Sequence, residues 1–347
     1  MELTENNPKN NNKRRRRIIA VIAYALVILI IILGTVFAWQ RIFAEQPATQ
    51  DEGVMSYHFM MLGRSQDDAY WATVRRGAIN SASMLDTALQ YQSIDEDSEQ
   101  SAEDYFKMAV KAGVDGIIVY VYDEEECENL IAMATSHGIP VVTIDTDAPY
   151  STRTVHIGVD NYRFGQTLGA VVEQAIGGSG NISLIVGADE GYMMNSSQNE
   201  RLKGFNEYLS ANDKILLIRE QYSTSGIVSA AQIARDILNT YYSVDAIVCT
   251  TPTEALGAAQ AVMERDSDER DIKIICLEEN VQILDYIETG VIDSAVISNP
   301  YQIGYLSVGV LVHYIQSGVI EDVHITQYVI NKDNMEAYTK YYLETQE

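Results

Sequence analysis

Cysteine, proline and histidine are scarce in this chain, and each scarcity excludes something. The 347 residues include only 3 cysteines, 6 prolines and 5 histidines. Cys127, Cys249 and Cys276 are too few, and odd in number, to form a disulfide framework. Cys249 and Cys276 lie in apolar runs, where a free thiol behaves as a small hydrophobe. Few prolines and no low-complexity tract argue against a long linker. The histidines (His58, His137, His156, His313, His324) are scattered without metal-ligand spacing. No GxSxG elbow, no GxGxxG after a strand and no Walker sequence occurs, and Gly177–Gly180 reads as a turn.

Basic residues are also lacking, but only beyond the N-terminus. Met1–Arg17 carries Lys9, Lys13 and Arg14–Arg17 against Glu2 and Glu5, a balance of +4. The remainder holds 18 basic and 47 acidic residues, a balance of −29. A body that acidic repels nucleic acid, because phosphate binding needs clustered Lys and Arg. The run Asp123–Glu126 opens a helix, where negative charge suits the dipole, and reads as a solvated face.

What is present first is an apolar run. Arg14–Arg17 is followed by Ile18–Trp39, 22 residues without a charge. As a helix this run is about 33 Å long, enough to cross a hydrocarbon core. It exceeds the apolar region of an ordinary signal peptide, which favours an uncleaved anchor. Small-residue cleavage patterns at Val36–Ala38 and Ile42–Ala44 keep the cleaved alternative open. No cysteine is near enough for a lipoprotein anchor. The basic cluster predicts a cytoplasmic tail at 1–17, a transmembrane anchor at 18–39, a polar linker at 40–55 and an extracytoplasmic body.

The body alternates short apolar runs with amphipathic stretches. Strands are expected at Tyr57–Leu62, Leu89–Ile94, Gly116–Val121 and Pro140–Asp145. Helices are expected between them at Ala69–Leu85, Ser101–Ala112 and Glu125–His137. The rhythm then restarts with a helix at Phe164–Ile176. It continues through strands at Ile182–Val186, Ile215–Gln221, Ala246–Thr250, Ile272–Leu277 and Ser294–Ser298, and ends on one at His324–Ile330. Two βαβ series predict an α/β protein of two doubly wound parallel-sheet lobes. Ligands on such sheets sit beyond the carboxyl ends of the strands. That rule selects Gly63–Asp68, Asp145–Asp147, Thr250–Thr253, Glu278–Asn280 and Ser298–Pro300.

Five segments, in order, resemble landmarks of the type I periplasmic sugar-binding proteins, the ribose- and galactose-binding relatives. They are Gly138–Asp145, His156–Asn161 with Gly165 and Gly169, Glu200–Phe205, Glu254–Ala258 and Asn299–Gly304. The resemblance covers about Ser56 to Asn334. It implies a first lobe at 56–157 plus 298–323, a second at 158–297 plus 324–347, and a hinge of three crossings. Regulators of the lac-repressor type share this fold, but carry a DNA-binding headpiece where this chain has its apolar run.

The resemblance also implies a site. Tyr70 and Trp71 stand where the family places aromatics that stack on a sugar ring; alternatively, Trp71 starts the apolar stripe of its helix. Asp68 is a polar position of the first loop, or a helix N-cap, or both. Asp145 is placed to accept two sugar hydroxyls. Glu278 stands where the family usually has Asp, and Thr251 with Pro252 replaces an Asn-Asp pair. Asn199 and Thr146 stand where ribose-binding relatives carry arginines, and Ser298 where they carry glutamine. Those departures imply a neutral sugar or related polyol and no cofactor. Two roles remain open: delivery to an ABC transporter permease, or sensing through a membrane histidine kinase.

Overall fold

The computed structural model describes residues 56–65, 68–94, 100–188, 196–241, 243–265 and 271–346, with side chains up to residue 340 in the last stretch. The expected span at 18–39, with its tail and linker, lies outside the described residues. Among the described residues no helix is long and apolar enough to cross a membrane.

The first βα series runs β1 (Tyr57–Gly63), α1 (Ala69–Met84), β2 (Thr87–Ser93), α2 (Ala102–Ala112), β3 (Gly116–Tyr120), α3 (Glu124–Ser136), β4 (Val141–Ile144) and β5 (Val155–Gly158). The second runs α4 (Asn161–Ala175), β6 (Gly180–Gly187), α5 (Ser196–Ser210), β7 (Ile215–Ser223), α6 (Gly226–Thr240), β8 (Val244–Cys249), α7 (Pro252–Met263), β9 (Lys273–Leu277), α8 (Val281–Thr289) and β10 (Ser294–Ile297). The chain then returns through α9 (Pro300–Ser317), β11 (Val323–His324), β12 (Tyr328–Asn331) and α10 (Met335–Gln346).

Two six-stranded sheets result, with orders β11-β5-β4-β3-β1-β2 and β12-β10-β9-β8-β6-β7. Strands β1 to β5 therefore have counterparts in β6 to β10. The inner strands are short branched runs buried on both faces, as parallel strands require, while the edge strands β2 and β7 are only partly buried. In the first sheet Phe59 and Met61 face α1 and α9, while Met60 and Leu62 face α2 and α3. Cys249 and Cys276 are register partners on β8 and β9, and both are buried free thiols.

Three expectations change. The strand expected at His324–Ile330 is two strands in different sheets: β11 lies parallel to β5, and β12 antiparallel to β10. The second sheet is thus not wholly parallel. The crossing segment at His156 contains a true strand, β5, and the chain ends in a helix, α10, that the apolar pattern did not announce. Met335 anchors α10 in the second lobe's core, and its Tyr338 hydroxyl donates to Glu279 Oε1 at 2.8 Å.

Helix pairs fix the face of each lobe through close glycine contacts. A Cβ on Gly77 would strike the Tyr301 carbonyl and one on Gly304 the Val74 carbonyl, so α1 and α9 pack backbone against backbone. Gly165 and Gly204 do the same for α4 and α5, against Arg201 and Tyr162. The glycines in the segments Asn299–Gly304 and Glu200–Phe205 are thereby explained by packing. These tight pairs hold the starts of α1 and α5 over the carboxyl ends of the strands.

Candidate ligand-binding cleft

The carboxyl ends of both sheets line a cleft of about 550 Å³. The first lobe contributes Arg64, Asp68 and Tyr70; the second contributes Gly187, Gln198, Ser223, Thr251, Glu254 and Glu278–Asn280. A narrower recess of about 110 Å³ runs beneath it, between Leu168, Val186 and Leu277, past Gln198, Arg201 and Thr251 to Glu278.

Asp145 and Glu278 occupy equivalent places in the two lobes. Each directly follows its strand, β4 or β9. Each donates its backbone N–H to the neighbouring strand, Asp145 to Ile157 O at 3.0 Å and Glu278 to Val296 O at 2.8 Å. Each adopts a left-handed backbone, with φ of 65° and 59°. Residues with a Cβ rarely take that conformation, and among the described non-glycine residues only Asp86 and Asn299 share it.

Around Asp145 the contacts are short. The Tyr70 hydroxyl donates to Asp145 Oδ1 at 2.6 Å, and Ser298 Oγ lies 3.4 Å from the Tyr70 hydroxyl. Burial, then the negative charges of Asp145 and Glu278, push the Tyr70 phenol well above its ordinary value, so it stays a donor. One oxygen of Asp145 is thus occupied by Tyr70, and Asp145 sits behind Tyr70, not among the residues that line the cleft or its recess. Asp68 caps α1: its Oδ1 accepts from the N–H groups of Tyr70 and Trp71 at 2.9 and 3.2 Å. It also lines the cleft.

Trp71 is placed differently from Tyr70. It is 3% exposed, belongs to the core, and meets Tyr120 edge-on at 4.9 Å and Tyr70 at 5.7 Å. Its ring backs Tyr70 instead of lining the cleft.

Around Glu278 the contacts are charged. Ser298 donates its backbone N–H to Glu278 Oε2 at 3.1 Å, and Arg201 Nη1 stands 3.9 Å from Oε1. Oε1 is buried and has no hydrogen-bond partner. Burial raises the carboxyl to about 7; Arg201 opposes the shift and Glu279 adds to it. Arg201 is held by Asn161, which accepts from its Nε at 2.7 Å, and by the Phe164 ring 4.7 Å from its guanidinium.

The expectation of a cleft without arginine is corrected here. Asn199 is exposed on α5 and does not line the cleft; Gln198 and Arg201 on the same helix do. Thr251 does line the cleft and donates to Glu254, a carboxyl only 3% exposed, which burial holds above the usual carboxylate range. Glu254 was missed as a site residue. The one signal for it was a lone acid in the mostly apolar Pro252–Met263 segment. Among the described residues no group of His, Cys, Asp and Glu is arranged to hold a metal ion.

Two sheet-based lobes whose strand ends share a cleft are the architecture of a cleft-binding protein. The chain belongs to the periplasmic binding protein domain family, whose model matches residues 59–318. It is similar to the ribose import binding protein of Bacillus subtilis, 24% identical over 198 residues. That match covers 57% of this chain and 62% of the relative, under two thirds of its length. The crystal structure of GanP, a glucose-galactose binding protein from Geobacillus stearothermophilus, superposes with a TM-score of 0.68 at 30% identity, covering 80% of this chain and 98% of that one. A chain of the XylFII-LytSN complex does so with a TM-score of 0.67 at 29% identity, with the same coverage.

Proposed function

We propose that this protein is a membrane-tethered extracytoplasmic receptor that binds a neutral sugar or related polyol between its lobes and performs no chemistry on it. The observation that carries this reading is the pairing of Asp145 and Glu278. They are carboxyls that end strands of opposite lobes in matching left-handed conformations, linked through Tyr70, which donates to Asp145, and Ser298, which bonds both Tyr70 and Glu278. A carboxylate accepting a sugar hydroxyl forms a charge-assisted bond, stronger than a neutral one. Tyr70 lies beside them to meet the ring. The lining carries four acids, Asp68, Glu254, Glu278 and Glu279, against the two cations Arg64 and Arg201, so anionic sugars fit poorly. The relatives' names, which include ribose import and glucose-galactose binding, support a sugar.

Thermal unfolding of the purified full chain with D-glucose, D-galactose, D-ribose and D-allose tests the reading. A ligand at 100 times its Kd adds about 2.7 kcal/mol to the native state, an upward shift of several degrees. Unchanged melting with every sugar would overturn it.

Two roles follow from binding. The similarity to an import protein supports delivery to an ABC transporter permease. The presence of a 29%-identical chain in a complex with LytSN supports the second, a co-receptor that presents its ligand state to a signalling partner such as a membrane histidine kinase. Crosslinking in native membranes with and without sugar, followed by mass spectrometry, separates them: a permease subunit supports delivery, a kinase supports sensing.

A further inference from the structure

An ionic network built on the mostly buried Arg153, with one half-buried and one exposed carboxylate, lies behind Asp145, where the hinge leaves the first lobe. Arg153, in the turn before β5, is mostly buried and reaches two carboxylates on different segments. Its Nη2 donates to Asp147 Oδ2 at 2.7 Å, and its Nε lies 2.6 Å from Asp147 Oδ1. Its Nη1 and Nη2 donate to Asp322 Oδ1 and Oδ2 at 2.8 and 3.0 Å, the parallel fork that only arginine makes. Asp147 lies two residues beyond Asp145, and Asp322 immediately precedes β11, the start of the third crossing.

Both carboxylates are tied in turn to the sheet. Asp147 Oδ1 accepts from Thr143 Oγ1 on β4 and from the Ala148 N–H, each at 2.8 Å. Asp322 Oδ1 accepts the His156 N–H of β5 at 2.8 Å, one residue before β11 pairs Val323 with Ile157. The His156 ring closes the network, with Nδ1 3.1 Å from Thr143 Oγ1 and 3.5 Å from Asp147. Beyond it, Ile325 donates to Gly158 O at 2.8 Å, and Gln327 already bonds Thr167 of the second lobe.

We propose that Arg153 is a positioning residue for ligand binding, a clasp that fixes the Asp145 loop and the third crossing to β5. Closure of the lobes then bends only beyond Gly158 in the first crossing and Ile325 in the third. The argument rests on the cleft being the ligand site, but the clasp itself is a property of the empty protein. An Asp145 loop held only by its backbone would move with the hinge. Clasped, it stays with the first lobe, and its carboxylate arrives at the ligand preset.

Amide hydrogen exchange on the full, ligand-free chain tests the clasp directly. In Arg153→Gln the amides of Asp145, His156 and Ile325 are expected to exchange about tenfold faster or more, because their local opening no longer breaks a charged network. The amides of Ile118 and Val248, in the two sheet cores, keep their rates. Arg153→Lys falls between, since one ammonium cannot fork to both carboxylates. Asp322→Asn provides a milder second variant with the same expected pattern. Unchanged exchange at the three amides, or a uniform rise through both lobes, overturns the clasp. Titration with D-glucose and D-galactose supplies the binding arm: Arg153→Gln should weaken whichever binds by about tenfold. Native affinity beside accelerated exchange overturns the positioning role. If the unaltered protein binds no sugar, the reading of the cleft fails while the exchange result still decides the clasp.

Discussion

Burial holds the Glu278 carboxyl at about 7 against an ordinary value of 4.5, so the folded protein binds its proton more tightly than the unfolded chain does. A raised folded value contributes stability that is complete below the unfolded value and is lost as pH climbs through the folded one. Glu278→Gln, which cannot ionise, should therefore gain stability relative to the parent between pH 5 and 8, by at most about 3 kcal/mol. Urea melts across that range check it; parallel pH profiles for the two proteins would contradict the assignment. Asp145→Asn tests the opposing carboxylate cleanly, because Asn tolerates the left-handed backbone. Sugar affinity should fall by about 10- to 150-fold, the cost of one charged hydrogen bond, with the fold intact by circular dichroism. Calorimetry giving parental affinity would remove Asp145 from the site. The sequence made Asp145 and Glu278 legible because each ends an apolar run that reads as a buried strand. It did not reveal that Tyr70 already occupies one oxygen of Asp145, a contact across 75 residues. Nor did it reveal that Arg201 enters the cleft: helical phase at the start of α5, set by the Gly165–Gly204 contact, decides which residue turns inward.

At the scale of elements, the helix pairs are the most sensitive joints. Gly304→Ala should force α1 from α9, and because the obstacle is the Val74 backbone, no side chain can swing away. Overpacking of this kind costs about 1–3 kcal/mol or more. Denaturant melts should show that loss, and sugar binding should weaken with it because α1 carries Asp68 and Tyr70. A melt matching the parent would mean the pair can part freely. The capped helices were the legible ones: Ser101 forms a capping box with Asp104, and Gly113 ends α2 in the left-handed conformation. The missed elements lack such signals. β11 has two residues and owes its place to Asp322 and to pairing with β5. β12 follows it after three residues, too close for periodicity to separate them. α10 is docked by Met335 and Tyr338 instead of by a continuous apolar stripe.

For the whole molecule, closure is the expected motion, since ligands between two lobes joined by short crossings draw them together by hinge rotation. Solution scattering should report a smaller radius on saturation with a sugar already shown to bind; an unchanged profile would speak against hinge closure. Topology is a second expectation at this scale. Protease added to intact protoplasts should digest the acidic body and spare the basic tail, whereas a mature chain that begins near Trp39 or Glu45 and washes from the membrane would refute the tether. The interleaving of the lobes has a consequence for biosynthesis. α9 supplies Ile303, Val308 and Leu311 to the first lobe's core, and β11 supplies its edge, yet both are made after the whole second βα series. The first lobe, although it begins at Tyr57, stays without a wall until the ribosome has passed residue 324. Domains that fold during synthesis do so from the N-terminus as each is finished. Here neither half is finished early, so neither lobe can complete its core until nearly the whole chain has been made.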